Sequence, residues 1–164
     1  MTKRSISVTL ATLVLAGAVV AFGLPRGQAA AVASDNVVTA SAAGIFPAGA
    51  TFNGIQLAGG TYGIGVQTSS TGNAVGDLEL QVNGSSVIGL SQWITITGWI
   101  TSGTQNPDGS MTLNGTGTLD MGDGSAPVGG LALVANLSAT GLTVTIGGTA
   151  IPTLPKSDGW VFIE

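Results

Sequence analysis

The chain has 164 residues, no cysteine and no histidine, 27 glycines, and a net charge of −4 on only 7% charged residues. Without His or Cys there can be no Ser-His-Asp or Cys-His catalysis, no disulfide, and no zinc site built on those ligands. Lys3, Arg4 and Arg26 precede position 33 and all eight acids follow it, so Lys156 alone faces those acids in a remainder of charge −7. That remainder cannot form the basic footprint that nucleic acid or an anionic membrane requires.

In chain order, Lys3 and Arg4 lead an apolar run over residues 6–24, which Pro25 ends. Ala29, Ala30, Ala31 and Ala33 then offer overlapping small-residue cleavage sites. This pattern predicts a helical signal peptide over 1–33 and a secreted or cell-envelope location. The run approaches the roughly 20 residues that span a bilayer, so an uncleaved anchor is the alternative. Ser7, Thr9 and Thr12 dilute it and the polar stretch 25–28 leads toward the peptidase site, which favours cleavage and leaves no membrane span in the mature chain. A cysteine-free exported protein points to a bacterial source.

Residues 34–50 are small and Ala/Gly-rich and read as a linker with one short strand at 37–39. Residues 51–164 form the expected domain, long enough for one core that buries roughly two-thirds of its unfolded surface. Within it Tyr62, Ile64 and Val66 alternate with small or polar residues, and so do Leu78, Leu80 and Val82. The same period of two recurs at Ile94, Ile96 and Ile100 and at Leu142, Val144 and Ile146. It marks half-buried strands. Further strands are expected at 111–119, 131–137 and 160–163. Turns are expected at Asn83-Gly84, at Asn106-Pro107-Asp108-Gly109 and at Asp123-Gly124-Ser125. Strands joined by short turns, with no helical period after residue 30, predict an all-β domain: an antiparallel β-sandwich or a small closed β-barrel of about eight strands. Leu78, Leu80, Val82, Ile94, Ile96, Leu113, Leu131, Leu133, Val144 and Ile146 are its expected core.

The order Gly60-Thr61-Tyr62-Gly63-Ile64-Gly65, Gly76-Asp77-Leu78-Glu79-Leu80, Thr112-Leu113-Asn114-Gly115-Thr116-Gly117-Thr118-Leu119 and Asp158-Gly159-Trp160-Val161-Phe162-Ile163 resembles a small all-β module at the ends of many bacterial secreted and surface proteins, the post-COAP type. The resemblance spans about 51–164 and rests on strand order and glycine placement. The Gly-rich stretch 125–130 and the segment 151–155 depart from it. It implies a non-catalytic module and carries over no functional residue.

Carboxylates are the remaining reactive groups. Asp77 and Glu79 lie two apart on one strand face, about 7 Å between Cα atoms, a spacing that serves glycoside chemistry only if one carboxyl is buried enough to stay protonated. They sit opposite Leu78 and Leu80, so solvation is expected and no catalytic residue is assigned. Asp120 and Asp123 lack the alternating oxygen ligands of a calcium loop, and no metal or cofactor is expected. The candidate binding face is Trp93, Thr95, Thr97 and Trp99, which share the side of one strand opposite Ile94 and Ile96. Six residues set the two rings about 20 Å apart, as platforms for an extended glycan or protein. Tryptophan is ordinarily largely buried, so the competing expectation covers both rings with the rest of the fold. The function expected is that of an exported, non-catalytic module with a structural, adhesive or binding role. A small-ligand carrier with a barrel cavity is the alternative, and an outer-membrane barrel is disfavoured by an aromatic content of 5%.

Overall fold

A computed structural model describes residues 36–164; the segment expected to be a signal peptide, 1–33, lies outside the described residues. The period-2 pattern folds into ten strands: β1 (Asn36–Ile45), β2 (Thr51–Phe52), β3 (Ile55–Thr68), β4 (Asn73–Ser85), β5 (Ser91–Gln105), β6 (Met111–Asp120), β7 (Val128–Ser138), β8 (Gly141–Ile146), β9 (Thr149–Pro155) and β10 (Asp158–Ile163). Among the described residues there is no helix.

All ten belong to one antiparallel sheet in the order β10-β1-β3-β4-β5-β6-β7-β8-β9, with β2 paired to β3. The sheet curls into a half-barrel. This corrects the expected architecture, which was a two-sheet sandwich or a closed barrel of about eight strands. The ladder stays open because its two edges, β9 and β10, do not pair with each other although they are consecutive in sequence. Lys156 and Ser157 link them, the Lys156 N–H donating to Thr140 O at 2.7 Å and the Ser157 N–H to Ala43 O at 2.9 Å.

The expected linker is also corrected, since residues 36–45 are a full strand held between β10 and β3. Its inward side chains are Val38, Ala40 and Ala42, all buried. Alanine weakens the polar/apolar contrast on which a strand is recognised, yet small side chains suit the crowded inside of a curled sheet. A second correction concerns Asn83-Gly84, which lie within β4 and form no turn. Gly84 is required there because a Cβ would stand 2.5 Å from the Gln56 carbonyl oxygen across the sheet. The actual reversal is 86–90, where Ser86 N–H donates to Leu90 O at 2.9 Å and Gly89 N–H to Ser86 O at 2.8 Å. The 106–109 turn forms as expected, with Gly109 N–H donating to Asn106 O at 3.0 Å.

Inward side chains from the long strands meet in one core that includes Leu80, Ile96, Leu113, Leu133 and Val144, with Phe46 and Phe52 contributing from β1's exit and β2. Of the expected core residues only Leu131 is partly exposed, packed at its margin. Tyr62 is buried at 3% exposure, its hydroxyl has no hydrogen-bond partner, and burial raises its pKa above the ordinary phenol value. An orphaned buried hydroxyl costs about 1–3 kcal/mol. Tyr62→Phe is therefore expected to hold or raise the thermal midpoint; a fall equivalent to more than about 1 kcal/mol would mean that the hydroxyl is satisfied.

Candidate functional site

The outer face of the sheet carries Trp93, Thr95, Thr97 and Trp99 together with Asp77 and Glu79. β5 alternates strictly through Trp99: Ile94, Ile96 and Ile100 are buried while Trp93, Thr97 and Trp99 are exposed and Thr95 is half-buried. Trp93 is 63% and Trp99 56% exposed, so the expectation that the fold would cover them is corrected. One sheet has no second layer to lay over its outer face.

Cross-strand register divides the four-residue face into two surfaces. Trp99 stands opposite Asp77 on β4 and Thr116 on β6, and Thr97 stands between Glu79 and Thr118. Trp93 is opposite Asn83, which in turn faces Gly59 and, beyond it, Ile45. Thr95 lies between them, opposite Gln81 and Asp120.

The Trp99 surface is polar and concave. A depression of about 360 Å³ is lined by Asp77, Glu79, Thr97, Trp99, Thr116 and Thr118. Glu79 also borders a second depression, of about 430 Å³, that lies over Gly63 and reaches Ser41 and Asp158. Gly63 and Gly65 face Glu79 and Asp77 in register, so β3 offers backbone where another residue would raise a wall. On the far side β10 holds Trp160 opposite Ser41 and Phe162 opposite Thr39, both rings about half exposed. Aromatic and acidic groups therefore flank a glycine floor. Sequence reasoning placed Trp160 and Phe162 on a strand but did not join them to this face, because β10 pairs with β1, more than a hundred residues away.

Asp77 and Glu79 are exposed, and Glu79 Oε1 accepts a 2.7 Å hydrogen bond from Gln81 Nε2. A carboxylate is an acceptor of several hydrogen bonds, so the pair suits hydroxyl or ammonium donors. Threonines 97, 116 and 118 add hydroxyls, and Trp99 adds a flat apolar surface that can stack on a sugar or side chain. Asp120 and Asp123 do not converge. Asp120 Oδ1 accepts from Gly122 N–H at 2.8 Å, and Asp123 Oδ1 from Ser125 N–H at 2.9 Å. The Ser125 hydroxyl and then its backbone N–H hold Asp123 below the ordinary carboxylate range. Among the described residues no three metal-ligating side chains gather.

The trio Val87, Ile88 and Leu90 in the 86–90 turn was missed. Its signal was readable: turns are built from Gly, Asn, Asp, Pro and Ser, so three large apolar residues at a reversal contradict ordinary turn chemistry. Compared with known protein families, curated proteins and solved structures, the chain matches none.

Proposed function

We propose that the chain is an exported, non-catalytic β module that binds an uncharged or cationic extracellular polymer, a glycan foremost, around Trp99. The observation that carries this reading is Trp99 itself, an exposed ring beside Asp77 in a depression lined by threonine hydroxyls and carboxylates. A sugar presents a ring face to stack and hydroxyls to donate, which this combination matches. The acidic surface repels anionic partners. The depressions described open on the outer face while the inward side chains pack together, which supports surface binding over carriage in an internal cavity. The resemblance to the post-COAP module agrees with a role without catalysis.

A glycan and matrix-protein array is the test. Trp99→Ala is expected to weaken the best ligand at least tenfold, about 1.4 kcal/mol, with Trp93→Ala leaving short oligosaccharides unaffected. Binding indifferent to Trp99→Ala would refute the site. Turnover of a glycan that is lost in Glu79→Gln would refute the non-catalytic assignment.

A further inference from the structure

The geometry points to a second, separate surface: the β4–β5 hairpin tip is a membrane-interface anchor for zwitterionic lipid, and it does not rest on the binding site at Trp99. Val87 is 90%, Ile88 77% and Leu90 63% exposed at the tip, and Ile45, 73% exposed at the end of β1, lies level with Trp93 across β3 and β4. Ile45 and Trp93 line one depression between them. Exposed apolar side chains this close together mark a contact surface.

Three features select lipid as the occupant. First, three of the tip's backbone N–H groups are paired within the tip: Ser86 N–H reaches Leu90 O, Gly89 N–H reaches Ser86 O, and Leu90 N–H reaches Ser86 Oγ at 3.2 Å. Entry into hydrocarbon demands that kind of internal pairing, whereas a protein groove could supply the partners itself. Second, Trp93 lies three residues behind Leu90, about 10 Å along the strand. Interfacial segments bury their apolar face roughly 5–10 Å, so Trp93 would reach the headgroup level that tryptophan favours when the aliphatic tip is in the acyl layer. Third, the charges fit. No charged residue occurs between Glu79 and Asp108, so no ion enters the bilayer with the tip. Asp120 and Asp123 lie in or beside the adjacent 121–127 loop, which is tied to the base of the hairpin where Gln92 Nε2 donates to Met121 O at 2.7 Å. Those carboxylates favour choline or ethanolamine headgroups and oppose anionic ones.

The full chain carrying Trp99→Phe and Trp160→Phe leaves Trp93 as the reporter tryptophan. With phosphatidylcholine vesicles its emission should shift to the blue and be quenched by acyl-brominated lipid. Ile88→Asp, and independently Ile88→Ser, should lower the partition coefficient at least tenfold with an unchanged thermal midpoint, since the side chain is exposed and the N-terminal segment is common to all variants. Replacing 30% of the lipid by phosphatidylserine should weaken binding. The proposal is overturned if Trp93 emission is unchanged by phosphatidylcholine, if the Ile88 variants bind as the parent does, if phosphatidylserine strengthens binding, or if sedimentation without lipid shows a dimer that Ile88→Asp dissolves, which would make a second copy the occupant.

Discussion

Gly115→Ala is expected to be strongly destabilising, one of several glycines at which an added methyl would run into neighbouring backbone. Gly115 pairs with Ile100 beside the register shift between Ile100 and Ser102, where β6 approaches β5 closely. A Cβ there would collide with the Trp99 carbonyl oxygen, 2.8 Å from its carbon and 3.0 Å from Ile100 Cα. Every atom met is backbone, and β5 cannot retreat because β4 holds it from the other side. Overpacking ordinarily costs about 1–3 kcal/mol, and a clash that no side chain can relieve belongs at or above about 3. Against a total stability of about 5–15 kcal/mol, the thermal midpoint should fall by roughly 10 °C or more, or the soluble yield collapse. Gly63→Ala is the control, since a Cβ at that position meets nothing within 4 Å. It should be neutral or slightly stabilising, because alanine loses less backbone entropy on folding. Similar midpoints for the two variants would refute the β5–β6 register, and with it the placement of Trp99 opposite Thr116.

What could be read from the sequence depended on side-chain contrast. β4, β5 and β8 alternate large aliphatic residues with Asp, Glu, Gln or Thr, so their existence, facing and core residues follow directly. β1 escapes because its inward residues are mostly alanine, and a strand whose two faces differ by so little resembles a linker. β9 escapes because Pro152 and Pro155 argue against a strand. Both are tolerated here: β9 is a sheet edge, and the register shifts between Leu142 and Val144, opposite Pro152. Its connection to β8 was readable in hindsight, since Gly147-Gly148 adopt φ of 57° and 83°, the positive pair a two-residue hairpin demands. Closure of the sheet was not readable at all. It would require β10 to pair with β9 as well as with β1, and the β1–β10 pairing, more than a hundred residues apart, is a long-range choice that no local period encodes. The candidate site divides the same way. The shared face of Trp93, Thr95, Thr97 and Trp99 follows from alternation, but their exposure and the gathering of Asp77, Glu79, Gly63 and Trp160 follow only from strand order.

Ile96→Ala and Thr97→Ala, adjacent in sequence, should separate stability from binding. Ile96 is fully buried, opposite Leu80 on β4 and Leu119 on β6. Truncating it removes three methyl or methylene groups from a close-packed interior whose surrounding strands are tied by backbone hydrogen bonds and can collapse little. The expected cost is about 2–5 kcal/mol. Thr97 faces outward between Glu79 and Thr118, where loss of a hydroxyl and a methyl removes only cross-strand contact and β-propensity, worth roughly 0.2–1 kcal/mol. In denaturant titrations Ile96→Ala should therefore lower the midpoint markedly at unchanged slope and Thr97→Ala barely move it. Ligand affinity at the Trp99 depression should show the reverse order under conditions where both are folded, since Thr97 lines it and Ile96 lies beneath the sheet. Sheet side chains repeat every two residues, so a one-residue slip of β5 would exchange the two roles completely. Equal destabilisation by both substitutions would show that β5 has no single buried face, and neither the core nor the binding surface would then stand as described.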